Sequence, residues 1–280
     1  MEQYQLWKAL MLSGEEVTFW QEFYVNFYKA FIEGDRWRQY LNGVGTTLLV
    51  TALALSIGIA LGVLVAMIRT AHDQQRPNLL SNTQRIQVLL AKMKGEIPAD
   101  KQILFRNPLL GALNFISQIY VTVIRGTPMM VQLLIMGFVI FRSSRSYTMI
   151  GALTLGINSG AYVAEIIRGG LMSLDPGQAE AGRSLGLGYI DTMRFIIIPQ
   201  AFKAILPSLG NEFIILLKDT SLITVIGGKE LVYAAQAVYG RTYEQMFPLV
   251  GIAVVYLVMV IIFSYLVSLL ERRLRQSDRR

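Results

Sequence analysis

Two stretches of this chain run without charge for longer than a bilayer is thick. Thirty uncharged residues separate Arg38 from Arg69, and 26 separate Glu244 from Glu271. A helix of about 20 apolar residues crosses the hydrocarbon core, so each run predicts a transmembrane helix. Two such runs in 280 residues predict an all-α polytopic membrane protein. The overall charged fraction of 16% agrees, since soluble domains carry about 25%. The absence of cysteine excludes disulfides, thiolate ligands and cysteine nucleophiles. The single histidine, His72, follows the first span in a polar stretch and reads as a solvated loop residue. No metal site and no secretory leader are expected, because Glu2 and Lys8 make no basic leader and no apolar core follows them.

Along the chain, residues 1–40 carry an aromatic stripe, with Phe19, Phe23, Phe27 and Phe31 four apart. This predicts an amphipathic helix, either in the membrane interface, where aromatic rings are favoured, or packed on the protein's own spans. The first span is expected at about Val44–Ile68. A polar insert over 70–106 follows, punctuated by Pro77 and Pro98, with room for a short helix at 79–94. Asn107–Phe141 holds one charge, Arg125, in 35 residues, too many for one straight span. It divides into a surface or tilted helix, 108–124, and a second span near 127–141, with Thr127-Pro128 breaking the chain between them. A third span is expected from Tyr147 to about Arg168 and a fifth from Phe247 to Leu270. Glu212, Lys218 and Asp219 interrupt Ala204–Gly228, so a fourth span there must face protein or water, because a charge at mid-bilayer costs about 2.5–3.5 kcal/mol. Gly58 and Gly62, and Gly156 and Gly160, have the spacing of close helix contacts.

The net charge of +7 has a local meaning in a membrane protein, because basic residues concentrate on the cytoplasmic side. With the insert, the 168–218 segment and the C-terminal tail inside, 18 of the 26 Lys and Arg residues are cytoplasmic. Five spans with the N-terminus outside and the C-terminus inside satisfy this bias, with Arg142 and Arg145 as exceptions.

Arg168–Pro207 is polar and helical in pattern although it lies between spans. Asp175 is an N-cap, Pro176 suits the first helical position, and Gln178 stands where a capping box needs it. Gly186 supplies a stop with positive φ, and a second helix near Tyr189 meets Pro199. Two short helices joined at a glycine form an elbow that a partner can grip. The plain alternative is an ordinary loop in which Glu180 is merely solvated.

These residues resemble the coupling loop of binding-protein-dependent ABC importer permeases: Glu-Ala-Ala, three residues, Gly, nine residues, Ile, one residue, Leu-Pro. Here Glu180-Ala181-Gly182 is followed by Gly186 and by Ile196-Ile197-Ile198-Pro199. The departures are Gly182 and Ile198, and Gly182 loosens a helix by up to about 1 kcal/mol. Arg125-Gly126-Thr127-Pro128, Ala161-Tyr162-Val163-Ala164-Glu165, Arg168-Gly169-Gly170 and Leu217-Lys218-Asp219-Thr220-Ser221-Leu222 are similar to blocks of the polar amino acid uptake family. The likeness covers about 42–70 and 107–272.

The resemblance implies a permease domain over 41–272, with its coupling loop at 173–200, between the 1–40 segment and a basic tail at 273–280. It implies a homo- or heterodimer of permease subunits, two ABC ATPase subunits and an extracytoplasmic amino-acid-binding protein in a prokaryotic cell membrane. Glu180, Ala181, Gly182, Arg183, Gly186 and Pro199 would couple to the ATPase. The chain has no Gly-x4-Gly-Lys-Ser/Thr loop, Gly227-Gly228-Lys229-Glu230 being none, so ATP would be bound by the partner and no cofactor by this chain. Glu165 and Asp219 are candidates for a substrate ammonium group, against pairing of Glu165 with Arg168 and of Asp219 with Lys218. Asn158, Ser159 and Thr220 are further candidates for the path, helix–helix hydrogen bonding being the alternative for Asn158, Ser159 and Thr154. A basic soluble chain would suggest nucleic acid; a basic membrane protein suggests lipid, with the tail near anionic headgroups. A secondary transporter or channel for small polar solutes is the rival reading. A membrane enzyme lacks the Ser/His or paired-Asp constellation it would need.

Overall fold

The computed structural model describes residues 2–75 and 108–277; the suggested helix at 79–94, the rest of the insert and Arg279–Arg280 lie outside them. Among the described residues every regular element is helical. A segment inside hydrocarbon must satisfy its own backbone groups, and a helix does so without a neighbour. The elements are α1 (Glu2–Ser13), α2 (Phe19–Phe31), α3 (Trp37–Gln75), α4 (Pro108–Gly126), α5 (Met129–Leu134), α6 (Tyr147–Met172), α7 (Pro176–Ser184), α8 (Tyr189–Thr192), α9 (Ile198–Asp219), α10 (Leu231–Thr242) and α11 (Met246–Ser277). π-helical turns follow α5 (Ile135–Ile140) and α8 (Met193–Ile197), and a 3-10 stretch, Thr220–Ile226, follows α9.

Helix α6 is the centre of the fold, with Gly151, Ala152, Gly156, Gly160, Ala161, Ala164 and Gly170 buried along it. Small side chains let α3 come close. A Cβ on Gly58 would lie 2.8 Å from Ser159 Oγ, one on Gly62 2.5 Å from Val163 Cγ1, and one on Gly156 2.7 Å from Ile57 Cβ. This is the close packing that the glycine spacing predicts. Residue numbers rise together along the seam, so α3 and α6 run parallel. Against α9 they run oppositely: Gly170 abuts Ile205, Ser159 meets Glu212, and Gly151 abuts Ile223 beyond the end of α9. Helix α11 is antiparallel to α9, with Gly210 against Val267 and the Phe213 and Phe263 rings 4.7 Å apart. The C-terminal ends of α3, α6 and α11 therefore share one end of the bundle with α7 and α8. Trp37, Tyr147 and Met246 share the other end with α10 and the N-terminal helices.

Among the described residues four helices are long and apolar enough to cross a membrane: 33–73, 108–126, 147–172 and 246–274. Helix α9 is long enough but carries Glu212, which is buried against α6 as a span with an acid requires. The 108–141 region breaks at Thr127-Pro128 as the sequence predicts, but the span length falls on the other piece. The 19-residue α4 has span length, whereas the apolar helix Met129–Ile140 extends only about 18 Å. This short piece runs antiparallel to α6, from Gln132 beside Asn158 to Phe138 beside Tyr147. The break therefore lies opposite the middle of α6. Gln132 Nε2 staples it by donating to the Ile124 carbonyl at 2.8 Å and the Thr127 carbonyl at 3.2 Å.

The N-terminal segment is two helices rather than one, turned at Gly14 with φ 77°. Tyr4 is buried and stacked on Tyr28 at 4.2 Å, Trp7 meets Tyr24 edge-on, and Lys8 Nζ bonds Glu33 Oε1 at 2.6 Å. The bond to Glu33 raises the Lys8 pKa above its ordinary value. Part of the aromatic stripe packs on the protein's own last span. Phe23 and Phe27 pack on Phe247 and Phe31 on Gly251 of α11, while Phe19 and Trp20 remain exposed.

Candidate functional site

The loop between α6 and α9 folds around one cap and one close contact. Asp175 Oδ1 accepts from the Gly177 N–H at 2.8 Å, and Pro176 fills the first helical position, where an N–H has no partner in any case. The capping box is not completed by Gln178; its side chain accepts instead from Gln200 Nε2 at 3.0 Å, tying α7 to α9. Gly186 closes α7 with φ 76°, and the Leu187 N–H reaches the Gly182 carbonyl at 3.1 Å, as a left-handed glycine cap does.

Gly182, the departure from the motif, is buried. A Cβ there would lie 2.8 Å from Thr192 Cγ2 and 2.9 Å from Thr192 Oγ1. The glycine thus lets α7 touch α8, a packing role that outweighs its weak helix propensity. Glu180, Ala181 and Arg183 are exposed beside it, and Leu185, Tyr189 and Ile190 present an apolar tip with Leu185 78% exposed.

Pro199 does not end the second helix. It sits in the first turn of α9, preceded by the π turn. Proline lacks an N–H and crowds the carbonyl four residues back, and a widened turn relieves both. Helix α8 therefore continues into the span without a loop.

The charges at this end form a chain. Glu165 is paired with Arg69 and lies 3.7 Å from Arg168 Nε, while Arg168 Nη1 lies 3.8 Å from Asp73 Oδ2. The expected Arg168 partner is present, but Arg69, 96 residues away in sequence, is the closer one. His72 is no solvated loop residue: it lies in the last turn of α3, is 5% exposed, and neither ring nitrogen has a hydrogen-bond partner among the described residues. A cavity of about 1100 Å³ opens between these charges and the elbow, lined by Asp73, Arg168, Arg183, Tyr189 and Thr192 among others.

The substrate-path candidates do not converge on one site. Ser159 is 1% exposed and donates to Glu212 Oε1 at 2.7 Å. Asn158 donates to Gln132 Oε1 at 3.0 Å, and Thr154 to the Ile150 carbonyl at 2.7 Å. Thr220 is fully buried and bonds the Leu217 carbonyl at 2.8 Å. Glu165 lies six residues beyond Ser159 toward the elbow, and Asp219 seven residues beyond Glu212 in the other direction. At 1.5 Å per residue the two acids are about 20 Å apart along the bundle. Among the described residues no group of three His, Asp or Glu side chains could hold a metal ion.

Sequence reasoning missed Glu230, the acid of the Gly-Gly-Lys-Glu stretch. It is 1% exposed, caps α10 through the Tyr233 N–H at 3.0 Å, and accepts from Tyr256 Oη at 2.8 Å and from Thr224. The signal available was an acid two residues after a glycine pair and immediately before an apolar helix, which is the pattern of an N-cap.

The family described as binding-protein-dependent transport system inner membrane component matches residues 105–276, more than half of the chain. The chain belongs to this family. It is 39% identical over 166 residues to the glutamine transport system permease protein of Escherichia coli (strain K12), covering 58% of this chain and 76% of that one. It is 37% identical over 169 residues to the arginine transport system permease protein of Bacillus subtilis (strain 168), covering 59% and 76%. A crystal structure of an amino acid ABC transporter with histidines superposes with a TM-score of 0.67 at 37% identity, over 84% of this chain and 94% of that one. An inward-facing MetNI methionine ABC transporter gives 0.62 at 16% identity, over 87% and 99%, a likeness of fold alone. This inner membrane component is a permease, and that reading stands over a secondary transporter or channel.

Proposed function

We propose that this permease is the membrane-spanning subunit of an ATP-driven amino acid importer and that its α7–α8 elbow receives the stroke of an ABC ATPase. The observation that carries the proposal is mechanical. Helix α7 is clamped to α8 at Gly182 and to α9 through Gln178, and α8 runs unbroken into α9. A displacement of the exposed Glu180–Leu185 surface is thus delivered to a membrane helix rather than absorbed by a loop. Glu180 and Arg183 would make ion pairs at the rim of an ATPase groove, and Leu185, Tyr189 and Ile190 would fill it. Alternating access then needs two packings of the bundle, each favoured by a different partner.

The same proposal places the elbow, Arg168 and the α11 C-terminus in the cytoplasm of a prokaryote, an amino-acid-binding protein on the opposite end, and two permease and two ATPase subunits in the assembly. Support for amino acids as cargo comes from the glutamine and arginine systems of the relatives.

The test is uptake of a labelled amino acid panel by proteoliposomes holding the permease, its ATPase and its binding protein. ATP-dependent uptake is expected, and uptake without the ATPase would refute the proposal. Gly186→Val should abolish coupled ATPase stimulation, because a β-branched residue is strained at φ 76°. Accessibility of Glu180 from the outer side would also overturn it.

A further inference from the structure

The acid expected to meet the substrate is already neutralised. Glu165 faces the guanidinium groups of Arg69 and Arg168, so it has little charge to offer an ammonium group. The opposite situation holds at Arg125. It is exposed at the C-terminal end of α4 and makes no ion pair or hydrogen bond with any described residue. Its guanidinium carbon lies 5.2 Å from the Tyr162 ring centroid.

Depth gives this isolation its meaning. Tyr162 lies near the midpoint of α6, ten positions before the end at Met172. That is about 15 Å of helix, further than an arginine side chain reaches, so a lipid headgroup at that end is out of range. A cation held there must face water or protein. The surroundings are built from polar groups that are themselves fixed. The chain breaks at Gly126-Thr127-Pro128, Gln132 Nε2 donates to Thr127 Oγ1 at 2.8 Å, and Asn158 holds Gln132 Oε1. A discontinuous helix at mid-membrane is a place where transporters put substrate sites. The planar guanidinium fork matches a carboxylate bidentately.

We propose that Arg125, backed by the Tyr162 ring and positioned by the Thr127–Gln132–Asn158 network, binds the α-carboxylate of the transported amino acid at mid-depth. The assignment rests on the amino acid importer reading above. Such a contact would read the one group common to all amino acids and leave the choice of side chain to other residues.

Two measurements on the intact permease–ATPase complex test it. Without the binding protein, thermal unfolding is followed with a millimolar amino acid and with its α-amide, which lacks the carboxylate charge. The amino acid should raise the midpoint and the amide should not; Arg125→Gln should remove the difference at an unchanged ligand-free midpoint. With the binding protein in proteoliposomes, Arg125→Gln should cut uptake about tenfold or more, the scale of losing a desolvated charge pair. Its ATPase response to the binding protein should persist. Arg125→Lys, which keeps the charge without the fork, should be intermediate, and it carries the test if the glutamine variant does not assemble. Equal protection by the amide, or wild-type uptake by Arg125→Gln, would overturn the assignment. Absence of ATP-dependent uptake by the wild-type assembly would overturn the importer reading instead.

Discussion

Replacing Gly62 by alanine separates the intrinsic helix preference of α3 from its packing on α6. In a helix with open surroundings the change stabilises by about 0.8–1 kcal/mol. At Gly62 the new methyl would stand 2.5 Å from Val163 Cγ1, 2.7 Å from Val163 Cβ and 3.0 Å from the Ala164 backbone nitrogen. Carbon atoms pack at about 3.5–4.0 Å, so the overlap approaches 1 Å and one obstacle is backbone that no rotamer change removes. Overpacking usually costs about 1–3 kcal/mol; with backbone involved the upper end applies, leaving a net loss near 2 kcal/mol. Gly45, on the same helix, has nothing within 4 Å of its Cβ position, so Gly45→Ala should stabilise by up to about 1 kcal/mol. The assay is unfolding of the detergent-solubilised permease followed by circular dichroism. Val163→Ala in the Gly62→Ala background should recover part of the loss, because it removes the nearest atom but leaves Cβ and the backbone nitrogen. Equal stability of Gly62→Ala and Gly45→Ala would refute the seam argument.

Three further outcomes are expected. Glu230→Ala leaves the Tyr233 N–H and the Tyr256 and Thr224 hydroxyls without their acceptor and should cost about 3 kcal/mol in the same assay. Glu165→Gln strands Arg69 in a part-buried pair, so about 2 kcal/mol of stability should go, between the surface and buried extremes, with half-saturation for substrate unchanged. A shift in half-saturation at wild-type stability would restore Glu165 as a substrate contact. Because the Lys8 pKa is raised in the folded protein, the Lys8–Glu33 tether stabilises fully below the ordinary lysine range, near pH 10.4. Its contribution falls as pH climbs through the raised value, so Trp7 fluorescence should change only above that range, and Lys8→Met should remove the transition.

What the sequence showed depended on how far apart the interacting residues lie. The spans at 37–75 and 246–277 were legible because a run without charge needs no partner to be recognised. The glycine seam was legible for a similar reason: four-residue spacing in an apolar helix is local. The pairing of Glu165 with Arg69 was not, because nothing local links positions 96 apart. Pro199 misled, since the rule that proline ends a helix assumes a regular α turn before it, and a π turn removes the clash on which the rule rests. Gly182 misled in the other direction: its propensity cost is visible in sequence, whereas its contact with Thr192 exists only once α7 has folded back. The break of 108–141 at Thr127-Pro128 was legible because proline marks it locally; which of the two pieces has span length was not, because hydropathy marks how apolar a stretch is, not how far its helix extends.

The unbroken path from Tyr189 to Asp219 has a geometric consequence. Helices α6 and α9 are in tight contact where Gly170 lies under Ile205, a natural fulcrum. From Thr192 to Ile205 is 13 residues and from Ile205 to Asp219 is 14, or about 20 Å on each side. A see-saw with equal beams neither magnifies nor diminishes travel. A few ångströms of movement at the elbow would reappear, reversed in direction, at the far face of the bundle beside Thr220–Ile226.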